Sequence, residues 1–303
     1  MEGAVTGASQ HPSPHMPIER LDGNADLVVQ GPLVLREDLE ILQLLTGTVG
    51  IEPLTRARCD AYRLHEPTSL AGVPEACAAA GYDWALVPHA RAWSRVRLVA
   101  LDMDSTLITI ECIDEMAALR GIGDEVAEVT AAAMRGEIDF RASLERRVAL
   151  LAGMPLPDLA RVYDERLEIS PGAAELLDAC HRIGAKTLLV SGGFTFFTDR
   201  LRQRLPIDYT LSNVLEIVDG HLTGRISGPI IDAAAKAAYF GDLADRLRGD
   251  DGIAVAIGDG ANDIPMLARA DVSVAYRAKP RVRAAAVHAI DHSGLDAVLN
   301  LFA

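Results

Sequence analysis

The chain has 303 residues, of which 50% are hydrophobic, and this length allows one large core or two modest ones. The formal charge of −14 argues against a nucleic-acid partner, because phosphate backbones require clustered Lys and Arg, and here the basic residues are dispersed among acids. The four scattered cysteines form no C-x-x-C pair, which favours buried thiols in the reducing cytoplasm over disulfides or zinc ligands.

The N-terminal third is predicted to hold a tail and a small α/β unit. Residues 1–24 contain no continuous apolar segment, which argues against a signal peptide or a membrane anchor, and we expect a disordered tail there. Residues 25–90 alternate short strand and helix patterns, with strands at 27–29, 59–64 and 84–87 and helices at 36–45 and 70–80. Two helices interleaved with three or four strands predict a small α/β sandwich, followed by a short linker at 88–94.

The next strand is predicted to deliver two aspartates to a site. An apolar run at 96–101 breaks abruptly into polar residues, as in a buried parallel strand of an open α/β sheet, where ligands bind at the carboxyl end. Asp102 and Asp104, separated by one residue in an extended segment, point the same way. One can therefore attack while the other moves a proton or helps to hold a cation. The alternative is that both acids cap the following helix.

Helical patterns at 111–135, 140–151 and 156–167 follow, separated by glycine and proline breaks. They predict a small helical cap, about residues 111–170, that closes over the site and excludes water. A carboxylate at Glu111 is costly beside a phosphate unless it meets a cation such as an α-ammonium group, and the alternative is a first-turn helix glutamate.

Two arginines and two apolar residues of this cap need a separate interpretation. A guanidinium at Arg146 or Arg147 suits bidentate binding of a carboxylate, and a solvated helix charge is the alternative. Met134 and Phe140 are, from the sequence pattern alone, ordinary core residues.

A strand at 186–190 is predicted to end in a phosphate loop. It runs into Ser191-Gly192-Gly193, where a hydroxyl and two residues without side chains let backbone N–H groups close on phosphate oxygens before a helix at 194–205. A hairpin with arms at 215–218 and 221–226 follows and is predicted to be structural. Lys236 lies in an alanine-rich helical stretch, where a surface lysine is the default.

The strand at 253–257 ends in Gly258-Asp259-Gly260-Ala261-Asn262-Asp263. Asp259 at the strand end can ligate a divalent cation, and Asn262 and Asp263, one turn later, can orient ligands and the phosphate. Oxygen ligands without an accompanying Cys or His select Mg²⁺ over zinc. A strand at 271–275, a helix at 279–289 and a closing segment at 291–302 complete the predicted elements.

The motifs resemble, in order, those of the haloacid dehalogenase superfamily of phosphohydrolases. The segments that carry the resemblance are Asp102-Met103-Asp104-Ser105-Thr106, Ser191-Gly192-Gly193, Lys236 and Gly258-Asp259-Gly260-Ala261-Asn262-Asp263. With Glu111-Cys112-Ile113-Asp114-Glu115 and the two arginines added, the resemblance narrows to the phosphoserine phosphatases and covers the chain from about residue 96 to the C-terminus. It implies an α/β fold, in which residues 95–303 form a Rossmann-like core with a parallel sheet and the inserted cap.

The resemblance also implies a role for each candidate residue. Asp102 would become an aspartyl-phosphate and Asp104 would be the acid/base. One Mg²⁺ would be held by Asp102, the Asp104 main-chain carbonyl and Asp259, with Asp263 in support. The phosphate would be cradled by Ser191, Gly192, Lys236 and Asn262. The amino-acid end would be selected by Glu111 and Arg147, with Arg146 left to solvent and Met134 and Phe140 shielding the substrate.

The function that we expect is hydrolysis of the small molecule O-phospho-L-serine to serine and phosphate, the last step of serine biosynthesis. The alternatives are transfer of the phosphoryl group to an alcohol such as homoserine, action on another phosphomonoester, and an amino-acid-binding regulatory protein with vestigial catalysis. A membrane ATPase with the same covalent chemistry would need membrane spans, and none is predicted. The N-terminal unit resembles ACT-type ligand-binding modules, and a packing or homodimerisation role without a ligand stays open.

Overall fold

The protein is described by a computed structural model that covers residues 23–303, so the predicted tail lies outside the described residues except for its last two positions. The strands are Ala25–Gly31 (β1), Ile51–Leu54 (β2), Asp60–Leu64 (β3), Asp83–Pro88 (β4), Val96–Leu101 (β5), Lys186–Phe194 (β6), Tyr209–Val218 (β7), His221–Ser227 (β8), Ile253–Gly258 (β9), Val272–Tyr276 (β10) and His288–Ile290 (β11). The α-helices are Arg36–Thr46 (α1), Val73–Ala80 (α2), Cys112–Arg120 (α3), Gly123–Met134 (α4), Phe140–Leu150 (α5), Leu156–Glu165 (α6), Ala173–Arg182 (α7), Thr195–Arg204 (α8), Ala233–Arg248 (α9), Ile264–Leu267 (α10) and Pro280–Arg283 (α11).

The larger sheet has seven strands in the order β11-β10-β9-β5-β6-β7-β8, and all neighbours are parallel except the β7–β8 hairpin. Its central strand β5 is apolar because both faces of the sheet are covered. Leu98 and Ala100 belong to one hydrophobic core, whereas Val99 and Leu101 belong to the other. The carboxyl ends of β6, β5 and β9 therefore meet at the middle of one edge.

The N-terminal sheet is antiparallel, with the order β2-β3-β1-β4. Leu27 and Val29 of β1 pack in a core with the helices α1 and α2, whereas Val28 packs into the core of the larger sheet. Buried Asp83 strengthens this junction, since its carboxylate accepts hydrogen bonds from the backbone N–H groups of residues 291–293. The predicted α/β class with a small N-terminal unit is confirmed, and the proposed boundaries at 90 and 95 fall between the two sheets.

Helices α3 to α6 form the insertion between β5 and β6. The chain enters and leaves it side by side, because Ile108 and Ile169 form an antiparallel bridge flanked by hydrogen bonds from Thr109 N–H to Glu168 O and from Ser170 N–H to Leu107 O, both 3.0 Å. The turn of the β7–β8 hairpin holds the far side of the insertion through backbone hydrogen bonds between residues 153–156 and 220–222.

The predicted helix at 279–289 is wrong beyond its first turn. Helix α11 ends at Arg283, and the chain then forms β11, in which His288 pairs with Val274 of β10. Ser273 Oγ accepts a hydrogen bond from Val287 N–H at 3.0 Å, which draws the alanine-rich segment onto the sheet. Pairing with the sheet edge thus overrides local helix propensity. In the part of the chain that the structure covers, no helix has the length and apolar character needed to cross a membrane.

Candidate active site

Asp102 follows the central strand β5 directly and is 5% exposed. Its backbone N–H donates to Ile257 O at 3.0 Å, which continues the pairing of β5 with β9. Its Oδ1 accepts hydrogen bonds from Met103 N–H at 2.7 Å and from Lys236 Nζ at 2.8 Å. The carboxylate is therefore fixed at the end of the strand, with one oxygen held by two donors.

Lys236 is 1% exposed, so the default interpretation of a surface lysine is wrong. It lies in the first turn of α9, whose N-terminus is capped by the Asp232 side chain accepting from Ala235 N–H at 2.9 Å. Its Nζ donates to Asp102 Oδ1 and to Asp263 Oδ1, both at 2.8 Å. Burial opposes the charged form, but the two carboxylates outweigh it and raise the pKa of Lys236, which keeps the ammonium protonated.

Asp102, Asp259 and Asp263 form an acidic cluster, in which one oxygen from each lies within 4.8 Å of the others. Burial, and then the neighbouring Asp263, raise the pKa of Asp102, and burial is the main cause that raises the pKa of Asp259 to about 6. One ammonium thus faces three carboxylates, and a divalent cation would relieve their mutual repulsion. Gly258 leaves room for the cluster, since a Cβ there would lie 2.6 Å from the Asp263 carboxyl carbon.

The Asp104 side chain is held by the start of the cap and is not part of the acidic cluster. Its Oδ1 accepts a hydrogen bond from Cys112 N–H at 3.0 Å, at the start of α3. Burial, and then the Glu111 carboxylate, raise the pKa of Asp104 to about 7. A carboxyl group with such a pKa can both give and take a proton near neutral pH.

The phosphate loop predicted at 191–193 is a bulge within the long strand β6, because the register against β7 shifts between Val190 and Phe194. Ser191 Oγ accepts a hydrogen bond from Gly193 N–H at 2.8 Å. A Cβ on Gly193 would lie 3.0 Å from Asp104 Oδ2, so only glycine lets the loop approach this carboxylate so closely. The loop therefore lies against the candidate acid/base.

The residues predicted to bind the amino-acid end lie on the insertion and its entry. Glu111 Oε1 accepts a hydrogen bond from Ser105 Oγ at 2.8 Å. Arg147 is half-buried, and its Nε is buried without a hydrogen-bond partner among residues 23–303. Asp114, Glu111 and Asp104 partly offset the burial that lowers the pKa of Arg147. Arg146 is exposed, in agreement with its assignment to solvent.

The remaining predicted residues are less closely tied to the acids. Met134 is 71% exposed at the end of α4, so the interpretation as a core residue is wrong, and its shielding role stays a prediction. Phe140 is half-buried, and a Cβ on Gly192 would lie 3.3 Å from its ring. Asn262 is half-buried beside Gly260, and its side chain makes no hydrogen bond to the acidic cluster within residues 23–303. The ring of Phe140 is thus the point where the cap touches the phosphate loop.

One contributor escaped the sequence analysis. Thr106 is buried, and its Oγ1 donates to Asp259 Oδ1 at 2.8 Å, which orients this candidate metal ligand. Its role could have been predicted from its position in the same polar run as Asp102 and Asp104, because a hydroxyl that is buried beside such acids needs a hydrogen-bond partner.

Known proteins resemble this chain in sequence and in fold. The family model described as haloacid dehalogenase-like hydrolase matches residues 99–268. A phosphoserine phosphatase of Polaromonas sp. is 54% identical over 213 residues, which are 69% of this chain and 90% of the relative. A phosphoserine phosphatase of Vibrio cholerae is 46% identical over 217 residues, 72% of this chain and 66% of the relative.

Two solved structures extend the comparison. The unliganded crystal structure of a probable phosphoserine phosphatase from Vibrio cholerae has a TM-score of 0.78 and 38% identity, and the match covers 92% of this chain and 86% of that one. A substrate-bound phosphoserine phosphatase complex has a TM-score of 0.63 and 32% identity, with 69% of this chain and 99% of that one covered.

Proposed function

Because the chain belongs to the haloacid dehalogenase-like hydrolase family, we propose that it is a phosphatase that hydrolyses O-phospho-L-serine to serine and phosphate. The family resemblance predicted from the motifs is confirmed by the family match and by relatives at 43–54% identity. One observation carries the proposal: Asp102 is held by buried Lys236 at the end of the central strand, beside Asp104 with a pKa of about 7.

The two aspartates supply a nucleophile and an acid/base. In the first step Asp102 attacks phosphorus, the bond from phosphorus to the seryl oxygen breaks, and Asp104 gives its proton to that oxygen. In the second step Asp104 takes a proton from water, whose oxygen attacks the aspartyl-phosphate and releases phosphate, and Asp102 is regenerated. Lys236, which donates a hydrogen bond to Asp102, is placed to neutralise charge on the transferred phosphoryl group.

The acidic cluster fits the single Mg²⁺ that the family resemblance implies. Its donors are carboxylate oxygens without histidine or cysteine, the set that Mg²⁺ prefers. Burial, and then the neighbouring Asp263, disfavour the ionised forms of Asp102 and Asp259 and raise their pKa values, so a bound cation would stabilise these carboxylates. Asp102, Asp259 and the Asp104 carbonyl would hold the ion, with Asp263 in support. When bound, it would stabilise the charge on the phosphoryl oxygens.

The amino-acid end would be recognised at the entry to the cap. Glu111 offers a carboxylate to the ammonium group, and Arg147 Nε, which has no partner within residues 23–303, leaves a buried donor for the carboxylate of the substrate. Phe140, which already meets Gly192, would cover the phosphate side. The relatives named phosphoserine phosphatase support this substrate.

The test is phosphate release from a panel of phosphomonoesters with Mg²⁺, with Asp102→Asn as the inactive control. We expect phosphoserine to lead the panel. Preferred turnover of sugar phosphates or nucleotides would contradict the roles of Glu111 and Arg147. Adding homoserine separates hydrolysis from phosphoryl transfer, because transfer would lower the yield of free phosphate. Serine binding without any phosphatase activity would favour a vestigial enzyme.

The proposed compartment is the cytoplasm, and the proposed assembly is a homodimer. All four cysteines are free thiols, which supports the cytoplasm. The homodimer, the ligand of the N-terminal unit and the absence of a nucleic-acid partner stay predictions. Light scattering of the purified full chain measures the number of copies per particle.

A further inference from the structure

Asn213 is a buried residue of β7 that the mechanism above does not use. It is 1% exposed, its Nδ2 donates to Gly192 O at 2.7 Å, and its Oδ1 accepts from Ile231 N–H at 2.8 Å. The partners fix the orientation of the amide, because a carbonyl only accepts and an N–H only donates. One side chain thus joins the phosphate loop to the segment that leads into α9.

The phosphate loop needs this support because the β6–β7 ladder is interrupted at the loop. The register shifts between Val190 and Phe194, and pairing resumes only where Phe194 meets Asn213. Two other groups lie near Gly192, since a Cβ there would be 3.3 Å from the Phe140 ring and 3.9 Å from Ile231 O. Neither of these contacts donates a hydrogen bond to the Gly192 carbonyl. The amide of Asn213 therefore links the Gly192 carbonyl to the segment before α9 by hydrogen bonds.

The second hydrogen bond of the Asn213 amide, from Ile231 N–H, holds the start of helix α9, which carries Lys236. Ile231 directly precedes Asp232, whose side chain caps α9 and whose carbonyl accepts from Lys236 N–H at 2.9 Å. A displacement of Ile231 would carry this first turn with it. The loop and Lys236, the two candidate phosphoryl-binding parts on β6 and α9, are thus tied by the same amide.

We propose that Asn213 is a positioning residue that sets the spacing between the phosphate loop at Gly192 and Lys236, and so the affinity for the phosphoryl group. This inference rests on the proposed function only in requiring a phosphoryl site at these residues. A buried asparagine that merely satisfies two backbone groups of the core is the competing interpretation. The two interpretations differ in whether phosphate binding depends on Asn213 separately from stability.

The isosteric variant Asn213→Asp keeps the acceptor for Ile231 N–H and replaces the donor to Gly192 O by an oxygen, which repels that carbonyl. The second variant is Asn213→Ser, which adds no charge. Its side chain is too short to reach both Gly192 O and Ile231 N–H. For both we expect kcat/KM for phosphoserine to fall by about 10²-fold, since a small misplacement of a binding group has effects of this size. The inhibition constant of inorganic phosphate should rise about 10-fold or more, and that of L-serine should stay within about twofold, because only the phosphoryl contacts move.

The matched control is Ser212→Ala, the neighbouring residue on β7. Its Oγ shares a 2.8 Å hydrogen bond with Thr198 Oγ1 and makes no hydrogen bond to residues 191–193 of the described chain. It should lose stability but leave phosphate and serine inhibition as in the wild type. The inference is overturned if the Asn213 variants lose stability like the control but bind phosphate normally. It is also overturned if the binding of phosphate and the binding of serine weaken equally. Phosphate binding by calorimetry tests Asn213 even if another phosphomonoester proves to be the substrate.

Discussion

The ammonium of Lys236 lies 2.8 Å from Asp102 Oδ1, and both side chains are almost completely buried. Removing the lysine should abolish activity and also destabilise the metal-free fold. In Lys236→Met, Asp102 and Asp263 remain buried without their cation, and breaking a buried pair in this way typically costs about 3–5 kcal/mol. We expect at least about a 10³-fold loss of kcat, comparable to other losses of transition-state charge stabilisation. Phosphate release and urea unfolding in EDTA measure the two effects.

Lys186→Met is the matched control, because Lys186 pairs with Asp208 at the surface of β6. Exposed pairs contribute little to stability because water screens them, so this variant should keep its activity and nearly all its stability. Equal stability of the two lysine variants would contradict the structural role of Lys236.

The acidic cluster predicts opposite effects of Asp259→Asn with and without Mg²⁺. Burial and like charges raise the pKa of Asp259 from 3.8 to about 6, so above pH 6 its ionised form is less favourable in the native state than in the unfolded chain. Removing the charge should therefore raise metal-free stability at pH 7.5, by up to about 3 kcal/mol. Mg²⁺ at one hundred times its dissociation constant should raise the unfolding free energy of the wild type by about 2.7 kcal/mol. The same Mg²⁺ concentration should raise the unfolding free energy of the variant much less.

Thermal unfolding in EDTA and in a Mg²⁺ titration measures both effects. Asp242→Asn, which changes an exposed aspartate of α9, should behave as the wild type in each. A Mg²⁺-dependent rise in the melting temperature of Asp259→Asn as large as that of the wild type would show that the ion binds elsewhere.

Arg147→Ala should weaken the binding of substrates that carry an amino-acid carboxylate and leave the binding of other phosphomonoesters unchanged. The half-buried guanidinium has a buried Nε with no partner in the described chain, which suits it to a ligand carboxylate. Loss of a bidentate charged contact should raise KM for phosphoserine by about 10–100-fold. The KM for p-nitrophenyl phosphate should hardly change. Arg146→Ala, one residue away and exposed, is the control and should match the wild type for both substrates. Equal losses for both substrates would rule out recognition of the carboxylate.

His288 should make the fold sensitive to acid. Burial, and then the guanidinium of Arg91, lower the pKa of His288 from 6.5 to about 3, so the native state stays neutral there. Its Nε2 lies 2.5 Å from Arg91 Nη1, and since arginine can only donate, the ring nitrogen must accept. The unfolded chain takes up a proton as the pH falls below 6.5, so native stability falls from pH 6.5 toward pH 3.

At pH 5 this loss amounts to about 2 kcal/mol relative to pH 7.5, by the linkage of one group. Urea unfolding at both pH values measures it. His288→Gln is the comparison, since its amide does not titrate, and its stability should fall less between the two pH values by that amount. Parallel pH profiles for the two proteins would exclude His288 as the source.

The positions of two acids in the fold could be predicted from the sequence because each directly follows an apolar strand. These acids are Asp102 and Asp259, and their proximity follows from the pairing of β5 with β9. The burial of Lys236 could not be predicted in this way, because an alanine-rich helix gives no sign of which face meets the carboxylates. Only the family resemblance assigned that lysine.

Other parts were missed for different physical reasons. Strand β2 contains Glu52 and Pro53, which weaken a strand pattern, but it lies at the sheet edge, where a proline is tolerated. Asn213 lies in the first half of β7, before the alternating residues from which the hairpin was predicted. Its role depends on Gly192 and Ile231, which the chain brings to it from 21 and 18 residues away.

The bridge between Ile108 and Ile169 brings the two ends of the insertion to one place on the sheet. The path of the chain between these two stems is therefore not fixed by the sheet itself, because both stems leave it at the same point. The entry to the insertion is the part that must be kept, because Cys112 N–H at the start of α3 donates to Asp104 Oδ1 and the Glu111 carboxylate contributes to the raised pKa of Asp104. Changes of length are thus expected to be tolerated in the helices farther from these stems.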